Sequence, residues 1–157
     1  MMAGCENRLV KQRLAESILL LALTPEQLRK IGEIGEPEFY SAGERILTEG
    51  TPGDALYLIL NGKVCVDGGR RPLAHLSADD TLQSQYEGDF FGEMAILDHE
   101  PRSANVTAVT NVLLFRIDRD ALYDLFAQDT ALQVVLLTNM ARTLSRRLRS
   151  ANRRIER

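Results

Sequence analysis

The sequence predicts a mainly β protein with flanking helices. The form expected is an eight-stranded antiparallel jelly roll with N-terminal helices, one short internal helix and two C-terminal helices. Three observations carry this. From Glu38 to Arg119, short apolar runs alternate with Gly, Pro and Asn turn signals, the pattern of a sheet closed on itself. Before that region, apolar residues from Leu9 to Ile31 stand near helical spacing, with a cap signal at Thr24. After it, Leu122 to Ile155 returns to helical intervals. Residues 1–37 are thus a helical segment, 38–118 a β core and 119–157 C-terminal helices.

Taken in order, residues 1–6 carry no pattern and are expected to fray. Arg8 to Leu21 reads as a helix, with Leu9, Leu14, Ile18 and Leu21 on one side. Thr24-Pro25-Glu26-Gln27 starts a second: Thr24 can cap, Pro25 suits the first turn and Gln27 completes a capping box. It runs to about Ile34 and is stopped by Gly35 and Pro37.

Phe39-Tyr40 and Arg45 to Thr48 read as short strands around the Ser41–Glu44 turn, and Glu49 to Asp54 as a Gly/Pro loop. Ala55 to Leu60 is an apolar strand, with Tyr57 and Ile59 on one face. Asn61-Gly62 is a two-residue hairpin signal, leading into Lys63 to Asp67 with its alternating Val64 and Val66. Gly68 to Arg71 turns the chain into Pro72 to Leu76. Asp79 to Gln85 reads as a long polar loop or a lengthened hairpin, and Ala104 to Val109 and Val112 to Ile117 as two further strands.

Asp118 starts a helix with Leu122, Leu125 and Phe126 inward, and Asp129-Thr130 starts the longest, to about Arg154. In that helix Leu137, Ala141, Leu144, Leu148, Ala151 and Ile155 follow spacings of 4, 3, 4, 3 and 4, a heptad seam. It suits either the flank of the roll or a second copy, giving a homodimer through the C-terminal helix.

Charge and composition exclude several classes. Residues 1–141 carry 12 basic and 21 acidic side chains, while residues 142–157 carry seven arginines and one glutamate. A domain built to hold nucleic acid is not expected to be acidic over nine-tenths of its length. The longest apolar run, Ile18 to Leu23, is too short to span a bilayer. Cys5 and Cys65 stand in unlike contexts, which fits a reducing, cytoplasmic compartment rather than a disulfide scaffold. His75 and His99, with no cysteine near, make no metal-site pattern, so no metal is expected. No nucleophile–base pair stands out, so the chain is not expected to be an enzyme.

One constellation carries chemistry: Gly88 to Val106, GDFFGEMAILDHEPRSANV. Met94 to Leu97 can form one helical turn, whose first N–H groups lack helical partners and can take an anion. Arg102 can add a bidentate contact and Ser103 a hydroxyl. Glu93, at the mouth of the turn, can accept from sugar hydroxyls. A phosphate and a ribose fit this set of groups.

Phe91-Gly92-Glu93-Met94-Ala95-Ile96-Leu97 and Pro101-Arg102-Ser103-Ala104 resemble the phosphate-binding cassette of the cyclic nucleotide-binding domain family. Ala42-Gly43-Glu44, Glu49-Gly50, Pro52-Gly53-Asp54, Leu56 to Gly62 and Leu114 to Asp118 resemble its framework, so the resemblance covers roughly residues 20–150. It implies that the short helix binds phosphate and that the ligand is cyclic AMP, or else cyclic GMP. It implies contacts from Phe91, Gly92, Glu93 (ribose 2′-hydroxyl), the amides of Met94 and Ala95, Arg102 (cyclic phosphate), Ser103 and Ala104. In the family's bacterial activators a Thr-Ser pair on the long helix reaches adenine. Arg146 and Arg147 stand where that pair is aligned here, and an arginine, Arg142 included, can stack over a base instead. The expected output is movement of the C-terminal helices toward an effector of unstated identity. No DNA-binding or catalytic unit is expected between the long helix and Arg157, so the effector is expected to be either another chain or another part of a longer protein. A structural domain that has lost signalling, and a DNA-associated regulator using the arginine-rich end, are the alternatives.

Overall fold

The run Ala55-Leu56-Tyr57-Leu58-Ile59-Leu60 has no polar residue to offer solvent, so both faces of the strand it forms must be covered. The computed structural model, which describes residues 2–68, 72–78 and 88–155, shows how. Strand β3 (Ala55–Asn61) separates two cores. Leu56, Leu58 and Leu60 pack against helices, while Ala55, Tyr57 and Ile59 face a second sheet.

The helices are α1 (Met2–Glu16), α2 (Pro25–Ile34), α3 (Met94–Leu97), α4 (Arg119–Gln128) and α5 (Thr130–Ile155). The other strands are β1 (Gly35–Tyr40), β2 (Arg45–Leu47), β4 (Lys63–Asp67), β5 (Pro72–Ser77), β6 (Phe90–Phe91), β7 (Asn105–Ala108) and β8 (Val112–Asp118). They form two four-stranded antiparallel sheets, β1-β8-β3-β6 and β2-β7-β4-β5. Between them lie Tyr57, Ile59, Val64, Leu76, Phe91, Val106 and Leu114. The outer face of the first sheet carries the helices, through Leu14, Ile31, Phe115, Leu122, Leu132, Leu136 and Met140 among others. The mainly β roll with helices at both ends is therefore the fold adopted. Among the described residues, no helix is long and apolar enough to cross a membrane.

Four expectations need correction. The first helix spans Met2–Glu16, so it forms where fraying was expected and ends five residues before Leu21. An irregular linker follows, burying Leu19, Leu20 and Leu23 together and leaving Leu21 exposed. Its backbone groups are met partly by local turns and partly from outside. Asp89 accepts from Ser17 Oγ (2.9 Å) and from the Ile18 N–H (2.9 Å). Asn139 Nδ2 donates to the carbonyls of Leu19 (2.9 Å) and Leu21 (2.7 Å).

Asn61-Gly62 does not close a hairpin: β3 and β4 lie in different sheets, and this turn is the corner between them. A two-residue turn signal fixes local reversal, and the burial of Val64 between the two sheets, with β4 paired to β7, decides the sheet it joins. The first strand begins at Gly35 rather than Phe39. It pairs with β8 along its whole length, Pro37 included, because it is an edge strand and needs few N–H donors there. The α5 stripe buried on the body is Leu132, Leu136, Met140 and Thr143, while in the heptad seam Leu137, Leu144 and Ala151 are half-buried and Ala141 and Leu148 exposed, Leu148 at 62%.

Thr24 caps α2 as expected: the Gln27 N–H donates to Thr24 Oγ1 (3.2 Å) and the Thr24 N–H to Gln27 Oε1 (2.9 Å). The expected loop Asp79 to Gln85 and most of the turn before Pro72 lie outside the described residues.

Candidate functional site: a phosphate and sugar pocket

Two glycines make room for one arginine. Gly92 has φ +82°, a conformation that side chains disfavour. A Cβ there would stand 2.9 Å from the Ala55 carbonyl oxygen and 3.0 Å from Arg102 Nη1. A Cβ on Gly53 would lie 3.0 Å from Arg102 Cζ. The Arg102 backbone is held by the same loop, since its N–H donates to the Thr51 carbonyl (2.8 Å) and its own carbonyl accepts from the Gly50 N–H (2.8 Å).

The Arg102 side chain is buried, at 7% exposure. Nη1 and Nη2 each approach the Ala55 carbonyl at 3.3 Å, and Nη1 approaches the Gly92 carbonyl at 3.4 Å. Among the described residues no carboxylate forms an ion pair with it. Burial holds its guanidinium below the usual arginine range, which is high enough that the group stays charged.

Glu93 opens α3 and is also buried, at 9% exposure. Its Oε1 lies 3.2 Å from Arg147 Nη1 of α5. Arg147 Nη2 donates to the Phe90 carbonyl (2.5 Å), and its Cζ stands 4.5 Å from the Phe90 ring centre. Phe91, on the other face of β6, stacks on Tyr57 with ring centres 5.1 Å apart.

These groups line a pocket of about 440 Å³, its open mouth included. Of the sequence-predicted residues, Phe91, Gly92, Glu93, Met94, Arg102, Ser103, Ala104 and Arg147 line it. Ala95 and Arg146 do not. Ala95 is turned into the core and its N–H is taken by the Gly92 carbonyl (3.1 Å), because the chain tightens at the helix start. Arg146 Nη2 lies 3.3 Å from Thr143 Oγ1, along its own helix.

Sequence reasoning missed the apolar wall: Leu47, Val66, Leu76 and Val106. Alternation put Val66 on the inner face with Val64, and the register sets it against Val106, which itself faces Leu47. It also missed two residues behind α3. Arg119 Nη1 donates to the carbonyls of Gly53 (3.2 Å) and Ala95 (3.4 Å), and Tyr123 Oη donates to the Ile96 carbonyl. Both belong to α4, so the end of α3 is wired to the C-terminal helices.

The charged side chains of the lining are Arg102, Arg147 and Glu93, a sum of +1. A phosphodiester monoanion balances that sum. With an apolar wall for a flat base and a carboxylate for sugar hydroxyls, the pocket suits a small nucleotide with one negative charge.

Comparison with known proteins agrees. A family model described as "Cyclic nucleotide-binding domain" matches residues 37–129. The chain is 37% identical over 114 residues to the cAMP-dependent protein kinase regulatory subunit of Aspergillus fumigatus, covering 73% of this chain and 26% of that protein. It is 34% identical over 139 residues to the CRP-like cAMP-activated global transcriptional regulator of Mycobacterium tuberculosis, covering 88% and 58%. It thus spans only part of these relatives. Among solved structures, a cyclic nucleotide-binding domain from Methylobacillus flagellatus superposes with a TM-score of 0.77 at 28% identity, covering 98% of this chain and 84% of that one. The Thermus thermophilus catabolite activator protein gives 0.69 at 32% identity, covering 89% and 62%.

Proposed function

The chain belongs to the cyclic nucleotide-binding domain family, and we propose that its pocket binds cyclic AMP as a regulatory ligand, with cyclic GMP as the competing purine. The observation that carries this is Arg102: a buried guanidinium without an ion pair among the described residues, facing a pocket whose charge sums to +1. Burying a lone charge is costly. The arrangement is favourable only if an anion completes it. The printed names of the relatives, cAMP-dependent and cAMP-activated, support the same ligand.

In this reading Arg102 and Ser103 take the cyclic phosphate, Glu93 takes the ribose 2′-hydroxyl, and the base lies along Leu47, Val66 and Val106. The family match is to a binding domain, and in this reading the role is recognition rather than turnover. Output passes from α3 through Arg119 and Tyr123 into α4. A second copy packs on the exposed apolar residues of α5, and the effector is a partner or a fused domain. A ligand drives such a relay only by preferring one arrangement of the helices.

The test is competition for labelled cyclic AMP on nucleotide-free protein. Unlabelled cyclic AMP should displace it at the lowest concentration and cyclic GMP at a higher one. Acyclic 5′-AMP, with its second charge, should be weaker by about 100-fold, as loss of a fitted charge-assisted contact predicts. Equal displacement by 5′-AMP, or no saturable binding, overturns the proposal.

A further inference from the structure

Helix α5 carries Arg142, Arg146, Arg147, Arg149, Arg153 and Arg154 and neither Asp nor Glu. No carboxylate stands one turn away on the helix to offset this charge, so whatever offsets it belongs to another element. Glu93 does so for Arg147. Arg142, Arg149 and Arg153 are exposed and form no ion pair among the described residues. Val134, Ala141 and Leu148 are exposed at intervals of two helical turns, so they share one face, and Arg142 and Arg149 flank it. The opposite sign stands around α3 and α4. Met94, Leu97 and Tyr123 are exposed, and the Tyr123 hydroxyl on the Ile96 carbonyl joins the two helices into one apolar surface. Asp98 and Glu100 follow Leu97, and Asp120 and Asp124 stand beside Tyr123 on α4; all four are exposed. The basic groups among them are His99 and Arg119, which lies 3.9 Å from Asp120. An exposed apolar patch with a charged rim marks a contact surface.

We propose that the basic face of α5 docks on the acid-rimmed α3–α4 patch of a second copy of the chain. Leu148 seats among Met94, Leu97 and Tyr123, and Arg149 and Arg153 face Asp120 and Asp124. Such a contact fixes which surface the exposed face of α5 meets, and it does not rest on the nucleotide reading of the pocket. Charge decides between the surfaces on offer. Two α5 helices laid face to face bring exposed arginines against arginines, whereas α5 on the patch brings opposite signs together. The fold also allows the contact to close. The Arg147–Glu93 ion pair, at 3.2 Å, sets the end of α5 beside α3 within one chain. One twofold axis can therefore lay each α5 on the other copy's patch, giving two equal contacts and no open array. The chain's own patch does not serve this face, since Leu148, Arg149 and Arg153 are exposed in the chain that carries both.

The experiment is sedimentation velocity on the full chain, with salt varied and with two charge-reversed variants at exposed positions. One carries Asp120→Lys and Asp124→Lys, the other Arg149→Glu and Arg153→Glu. The wild type should form a dimer whose dissociation constant rises by about 10-fold as salt is raised from about 50 to about 500 mM. Each variant alone should be monomeric where the wild type is dimeric. An equimolar mixture of the two variants should regain the dimer, because each α5 then meets a patch of opposite sign. Misfolding of either variant cannot produce that recovery. A dimer that salt strengthens and that persists in both variants puts α5 on α5 and overturns the proposal. A mixture that stays monomeric overturns it as well, as does a wild type that is monomeric throughout and so leaves both surfaces to other partners. Cyclic AMP binding by the wild type decides the pocket reading separately.

Discussion

Arg102 and Ala55 meet where a charge would not ordinarily rest: both terminal nitrogens of the guanidinium lie 3.3 Å from a single carbonyl oxygen. One oxygen shared by two donors, with Gly92 O at 3.4 Å as the other acceptor, holds the group in place without neutralising it. The arginine is positioned by backbone on one side and open to the pocket on the other. Stability and function should therefore diverge at this residue. Arg102→Met keeps the length and removes the buried charge. Its thermal midpoint without nucleotide should equal or exceed that of wild type, as replacement of a poorly compensated buried charge allows. Cyclic AMP affinity should fall by about 100-fold or more. Thermal scans with and without nucleotide measure both, and a lower midpoint without nucleotide would mean that Arg102 is a structural residue.

Gly92 couples the same two features. Gly92→Ala places a methyl group against the Ala55 carbonyl and Arg102 Nη1 in a left-handed conformation. It should cost about 1–3 kcal/mol of stability, read by urea denaturation. It should also weaken cyclic AMP binding, because the methyl displaces the guanidinium. Retained affinity would show that Arg102 is free to move.

The buried carboxylate of Asp89 joins the N-terminal linker to the strand that carries the pocket. Burial is the largest influence on it and raises its carboxyl above the ordinary 3.8, opposed by the Ser17 and Ile18 hydrogen bonds. A raised carboxyl means that the folded state binds more protons than the unfolded one from 3.8 up to the raised value. Its contribution to stability is full below that window and declines as pH rises through it. Asp89→Asn cannot titrate. The stability of the variant relative to wild type should therefore increase as pH rises from about 4 to neutral. Denaturant midpoints across that range check the sign, and a relative stability that falls with pH would contradict it.

The exposed apolar residues of α5 predict self-association. Leu148 and Val134 are 62% and 59% exposed. Sedimentation velocity should show a dimer at micromolar concentration, and Leu148→Glu should shift it to monomer without loss of fold. A wild-type monomer would remove the second copy from the proposal.

The pocket was legible in the sequence where its chemistry is local. Phe91 to Glu93 and Arg102 to Ala104 sit on two short neighbouring segments, and their residue types admit few other uses. The Thr24 cap was legible for the same reason. Long-range pairs were not. Ser17 and Asp89 are 72 residues apart, and Asn139 bonds Leu19 at a separation of 120. Each looks locally like an ordinary polar residue on a helix or turn. Asn61-Gly62 marks a reversal, but sheet membership is decided by which apolar face needs cover. Arg146 and Arg147 are neighbours with the same side chain, and only the helix phase against β6 sends one inward. The end of the first helix is not legible because Ile18 to Leu23 continues the apolar spacing, while Asp89 draws off the backbone at Ile18.

The most direct test of the central claim is a calorimetric titration of refolded, nucleotide-free protein with cyclic AMP, beside Arg102→Ala. The account predicts saturable binding with one site per chain in the wild type and no measurable heat of binding in the variant. Equal binding by the two proteins would contradict it, because a phosphate would then be held without Arg102, the more buried of the two arginines that line the pocket.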